Sequence, residues 1–146
     1  MMRCRVMFCL ALLVVLLLFA CNRIGPQSTF PTPPSTSYRL ESMSLSVDGK
    51  THMIHAAFVT AEFSKVARVQ PMLGRYFADE EYQANSGAVA VLSHSFWVRQ
   101  FGSDPVVVGR TLELNGRDCT VVGVLPKGFD HPERTDLLLP EAASGR

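Results

Sequence analysis

Residues Val6 to Phe19 form an uninterrupted apolar run, preceded by Arg3 and Arg5 and closed by Ala20 and Cys21. A helix crossing a bilayer needs roughly 17 to 25 apolar residues, and this run is shorter. A basic start, a short apolar centre and a small residue at the end match a secretory leader, which places the remainder outside the cytoplasm. An uncleaved membrane anchor is the competing reading of the same run. Much of the 47% hydrophobic content of the 146-residue chain is concentrated here, so the fold must be built from the residues C-terminal to it. Residues 22–37 are rich in Pro, Ser and Thr without periodicity, a composition that cannot bury enough apolar surface to offset chain entropy. They are expected to form a linker, with one modest domain over 38–146.

The tetrapeptide Leu18-Phe19-Ala20-Cys21 resembles the lipobox of bacterial lipoproteins, with Phe19 where a small or aliphatic residue is usual. That resemblance implies cleavage before Cys21 and lipid on its sulfur, in a bacterial cell envelope. Each buried methylene contributes about 0.8 kcal/mol, and two or more acyl chains anchor stably where one does not. Cys4 and Cys9 would leave with the leader, and a lipidated Cys21 leaves Cys119 without an intrachain partner. Cys119 lies in an apolar strand and reads as a small buried hydrophobe. From residue 38 onward, 11 Lys and Arg stand against 13 Asp and Glu, a formal net charge of −2. No basic stripe emerges, which argues against nucleic acid as a partner.

Within the domain, Leu40, Met43, Leu45 and Val47 alternate imperfectly with polar residues and lead to Asp48-Gly49, a turn pair. A second strand comes next in "THMIHAAFVT", so the two can form a hairpin. Phe63, Val66 and Ala67 have helical spacing, with Pro71 as the stop. Residues 71–87 are turn-rich and carry the acidic run Asp79-Glu80-Glu81. A short buried-type strand, "GAVAVLS", then runs into the aromatic "HSFWVRQFG".

That junction poses the main chemical question, because Ser93 and His94 are a potential nucleophile and base. A nucleophile needs a base within hydrogen-bond reach, itself oriented by a third group, and adjacent positions at a helix start point different ways. Serine is also a favoured N-cap, its hydroxyl accepting a free backbone N–H of the first turn. Leu92 before such a cap and Trp97 four residues after it have the spacing of a hydrophobic staple. Trp97 and Phe101 then share a helix face, and Gly102 can close the helix. Ser93 is therefore read as structural, and a hydrolase using Ser93 and His94 as the distant alternative.

Asp104 can cap a single turn with Pro105 at its first position and Gly109 at its end. Asn115-Gly116 suits a type I′ turn between apolar strands, opposing Leu112 to Cys119 and Thr111 to Thr120. The same register opposes Glu113 to Asp118, like charges that Arg110 or Arg117 can screen unless the loop differs. A last strand is expected over Asp136 to Leu139. His52 and His55 lie three apart on a strand and so face opposite sides, which disfavours a shared metal. The acidic run reads as a solvated turn or helix start, and Arg75, Arg110 and Arg117 as surface ion-pairing residues. His94 and His131 have no partners identifiable in the sequence.

Taken in order, "VQPMLGRYFADEE", "VAVLSHSFWVRQFGSDPVVVGRTLELNGRDCTVVGVLPKGF" and "DLLLP" resemble the extracytoplasmic core domain of MacB-type ABC transporter permeases. The resemblance runs from about Phe58 to Pro140. Together with the strand and helix pattern, it implies an α+β domain, a small mixed sheet with short helices, preceded by a hydrophobic leader. It implies a mechanical role: such domains stand outside the membrane and relay motion driven by ATP hydrolysis on the opposite side. Related domains contact substrates or partner proteins during efflux or lipoprotein release. The implied partners are the membrane and ABC permease or ATPase subunits. The family's domain has no catalytic residues, so neither an enzyme nor a cofactor is implied. A full permease would continue past "DLLLP" into a transmembrane bundle, and the chain lacks a Gly-x-x-x-x-Gly-Lys-Ser/Thr phosphate loop. The expectation is a tethered stand-alone domain or a partial permease.

Overall fold

A computed structural model describes residues 38–84, 86–129 and 131–144; the leader, the linker and Cys21 lie outside the described residues. Strands β1 (Tyr38–Val47) and β2 (Lys50–Val59) form an antiparallel hairpin. Its turn residues Asp48 and Gly49 both have positive φ, 51° and 74°, as a type I′ turn requires. Met43, Leu45 and Val47 point to one face of β1. Leu40 is an odd number of residues from them, so it falls on the opposite face and is 52% exposed, not part of the stripe.

Helix α1 (Ala61–Ala67) starts at Thr60, whose hydroxyl accepts the Phe63 N–H at 3.3 Å. It ends at Arg68, in the left-handed conformation at φ 46°, and not at Pro71. That bend turns Val69 into the core. Val66 projects to solvent, away from buried Phe63 and Ala67. Strand β3 (Leu73–Gly74) and a 3₁₀ turn over Asp79–Tyr82 lead to β4 (Val89–Leu92). Helix α2 (His94–Phe101), a 3₁₀ turn at Pro105–Val107 and strands β5 (Thr111–Leu114) and β6 (Arg117–Val124) come next. The final strand, β7, spans Leu137–Pro140 and leads into a 3₁₀ turn at Glu141–Ser144. It begins one residue later than expected, because Asp136 uses its carboxylate and not its backbone carbonyl to reach β2.

The sheet is mixed, with β2–β7 and β4–β6 parallel and the other pairs antiparallel. Its order is β3-β6-β4-β7-β2-β1-β5, and β5 also pairs with β6. The circuit β1–β2–β7–β4–β6–β5–β1 therefore closes on itself, with β3 added to the far half of β6. Closure gives every strand of the circuit a partner on each side, over at least part of its length.

Alternation sorts the apolar residues into two cores. Ala56, Phe58, Ala90, Leu92, Cys119, Val121, Leu137 and Leu139 fill the inside of the ring, with Leu45, Leu112 and Leu114. Ala57, Val59, Val89, Val91, Val122 and Leu138 face outward and are covered by Phe63, Ala67, Val69, Phe77 and Phe129. β4 and β7 are thus buried on both faces, which is why "VAVL" and "LLLP" are apolar throughout. Each fully buried large side chain contributes roughly 1.5 to 3 kcal/mol. Helix α2 leaves β4 at one end of the ring, and the turn Glu141–Ser144 leaves antiparallel β7 at the other, so the two ends carry different covers. Tyr38 pairs with Val59, and Val59 with Pro140, so the described chain enters the ring and leaves it on either side of one residue.

Candidate functional site

The residues marked by the sequence gather mainly around α2. Buried β4 delivers the chain to Ser93, which is itself buried, and the Ser93 hydroxyl accepts the Phe96 N–H at 3.3 Å. The Ser93 hydroxyl also lies 3.4 Å from Ser95 Oγ. The His94 ring turns onto Trp97, with ring centres 5.8 Å apart. Among the described residues no hydrogen bond joins Ser93 or Ser95 to a histidine. Trp97 enters the inner core and donates its indole N–H to the Asp104 carbonyl at 2.8 Å. Phe101 packs against the same core, but its ring meets Phe96 at 5.9 Å and not Trp97. Gly102 closes the helix in the left-handed conformation.

Asp104 accepts the Val106 N–H at 2.9 Å, with Pro105 at the first position of the turn. Gly109, at φ 91°, donates to the Val121 carbonyl at 2.7 Å and fixes the entry to β5. Asn115 (φ 49°) and Gly116 (φ 77°) make the β5–β6 turn, in the register Leu112–Cys119 and Thr111–Thr120. Glu113 does oppose Asp118, and both are exposed. Arg110 does not screen them; it pairs with Asp48 at 3.1 Å.

Asn115 has a second role that turn chemistry did not reveal. Its side-chain oxygen accepts from the Ser44 N–H at 2.8 Å and lies 3.1 Å from the Ser44 hydroxyl, while its own N–H donates to the Ser44 carbonyl at 2.9 Å. This clamp lies beside the short β1–β5 pairing that closes the ring. Its signal is invisible locally, since 71 residues separate the partners.

Two motifs of the family resemblance meet each other. Leu73 and Gly74 pair with Val124 and Gly123, so the Leu-Gly-Arg and Val-Val-Gly-Val segments form the β3–β6 contact. A Cβ on Gly74 would overlap the Val122 carbonyl, and one on Gly123 the Arg75 carbonyl. Arg75 then makes a two-point ion pair with Glu81, at 2.7 and 2.9 Å, and Glu81 also accepts the Ala78 N–H at 2.8 Å. The Arg75 hydrogen bonds lower the Glu81 pKa against a partial desolvation penalty. Nearby, Tyr82 hydrogen-bonds Ser64 of α1, and burial pushes its phenol up to about 12. Burial likewise pushes the Cys119 thiol up to about 12, the state of an inert core cysteine.

Beside the start of α2, a cleft of about 340 Å³ lies between Ser93, Ser95, Leu125, Phe129, His131 and Thr135. His131 rests against Phe129 with ring centres 6.1 Å apart. His52 and His55 are both exposed, and no group of three His, Cys, Asp or Glu that could hold a metal ion occurs among the described residues. Nor is any helix among the described residues long and apolar enough to cross a membrane.

Residues 27–145 match a family model described as MacB-like periplasmic core domain. The extracellular domain of the noncanonic ABC-type transporter YknZ from Gram-positive bacteria is 20% identical, with a TM-score of 0.59 over 72% of this chain and 52% of that one. The periplasmic region of MacB from Actinobacillus actinomycetemcomitans is 20% identical, with a TM-score of 0.61 over 86% of this chain and 53% of that one. A domain of a putative permease protein from Porphyromonas gingivalis is 21% identical, with a TM-score of 0.50 over 71% of this chain and 44% of that one. At such identities the likeness is one of fold, and the chain spans about half the length of the solved structures it matches. No curated protein matches it.

Proposed function

Since the chain belongs to the MacB-like periplasmic core domain family, we propose that it is a non-catalytic, extracytoplasmic module of an ABC transporter system. It acts by contact with permease or ATPase subunits and by passing on their motion. The observation that carries this reading is the closed ring of strands with a core on each face of its buried strands. Such a body is displaced as a unit. The Ser93 hydroxyl caps α2, which supports a role without a serine nucleophile. Membrane attachment through a lipidated Cys21, in a bacterial envelope, belongs to the same proposal.

Photocrosslinkers at Met53 and Val106, 71% and 76% exposed, test the transporter role in intact bacterial membranes. The expected product is a covalent adduct with a permease or ATPase subunit. If no exposed position of the ring yields such an adduct, the transport role is wrong. Attachment is read from the intact mass beside a Cys21→Ser variant. Leader loss with added lipid mass, abolished in the variant, is expected, and an unprocessed mass overturns lipidation.

A further inference from the structure

Asp136 bonds elements that sheet pairing leaves apart. β7 pairs with β2 from Ala56 onward, and among the described residues no strand pairs with that edge of β2 toward the hairpin turn. Asp136 takes up the next position. Its N–H donates to the His55 carbonyl at 2.8 Å, and its carboxylate Oδ2 accepts the His55 N–H at 2.9 Å. The other carboxylate oxygen, Oδ1, accepts from Arg99 in the last turn of α2 at 2.6 Å. The Asp136 carbonyl accepts from the N–H of Ser93, the cap of the same helix, at 2.9 Å. Arg99 is in turn seated over the Phe96 ring, 5.4 Å from its centre.

We propose that Asp136 couples α2 to the β1–β2 hairpin, so that displacing either one shifts the other. One carboxylate serves both, one oxygen to the strand and one to the helix. Rotating it to follow Arg99 pulls its second oxygen off the His55 N–H. The Ser93–Asp136 bond holds the opposite end of the helix, so α2 cannot tilt about its start without dragging the same residue. The α2 cover of the ring and the β1–β2 hairpin thus form one mechanical unit. This deepens the proposed transmission of motion, on which it rests, by naming the residue that carries it.

Hydrogen exchange on the full chain tests the coupling. The Arg99 side chain is largely exposed, so Arg99→Ala leaves the core intact. It is expected to accelerate exchange at His55, Asp136 and Ser93 together, by about two- to five-fold, the range for an exposed ion pair. Phe63 at the start of α1 is expected to stay unchanged. Asp136→Asn removes the ion pair from the other side and also alters the acceptor of the His55 N–H, and the two variants combined are expected to accelerate His55 no more than Asp136→Asn alone. Acceleration confined to α2, additive effects in the double variant, or uniform acceleration that includes Phe63 would each overturn the coupling. Coupled exchange in a chain that crosslinks to no ABC subunit would retain the coupling and reject only the transport role.

Discussion

Asn115 shows how much one side chain can settle. As a turn residue it supplies a positive φ, and as a clamp it bonds the backbone of Ser44 on the adjacent strand β1. Asn115→Gly keeps the turn and removes the side-chain half of the clamp, so a loss of about 0.5 to 1.5 kcal/mol is expected in urea unfolding, with faster exchange at Ser44. Asn115→Asp keeps an acceptor and is expected to lose less. Ser93→Ala is expected to cost about 0.5 to 2 kcal/mol for the missing cap, again read by urea unfolding. Much at this scale is legible in the sequence, because caps and two-residue turns depend on neighbours along the chain. Leu40, Val66 and the ring partner of Phe101 are not, since each depends on what the rest of the chain places opposite it.

Among the elements, the β3–β6 contact is the most constrained by size. Gly74 and Gly123 let two backbones meet where any side chain would strike a carbonyl. Gly123→Ala is expected to destabilise the domain by about 1 to 3 kcal/mol and to raise exchange at Met72 and Arg75, whose N–H groups bond to Val124 and Val122. Unchanged exchange there would show that β3 does not need the close approach. Both hairpins and α2 are readable from turn pairs and helical spacing, but β7 is shifted by one residue and α1 stops short of Pro71. A strand buried on both faces has no alternation to mark its boundaries, and a left-handed non-glycine cap such as Arg68 leaves no mark in the sequence.

The closed ring is a property of the whole molecule, and local patterns do not disclose it. β1 and β5 pair only through Leu45–Leu114 and Ser46–Glu113, far apart in sequence, and nothing in either strand names the other. The mixed α+β class is readable; the closure is not. Buried acids set the pH response at this scale. Cys119 and Tyr82 have folded pKa values above their ordinary ones, so the unfolded chain releases these protons first. Stability is therefore expected to hold below about pH 9 and to fall as pH rises toward about 12, measured by thermal unfolding across that window. Glu81 acts in the opposite sense, its stabilisation present above its ordinary pKa and lost as acid protonates it, and Glu81→Gln should weaken that acid dependence.

Tyr38 and Pro140 flank Val59 on neighbouring strands, about 10 Å apart at ordinary strand spacing. Any longer polypeptide carrying this ring would hold it like a bead on a looped thread, with both strings leaving from one side. Tension drawing those strings apart would run across the strands and open the hydrogen bonds one after another, like a zipper. A push from either end of the ring meets the whole barrel at once. Such a body is expected to resist compression better than traction.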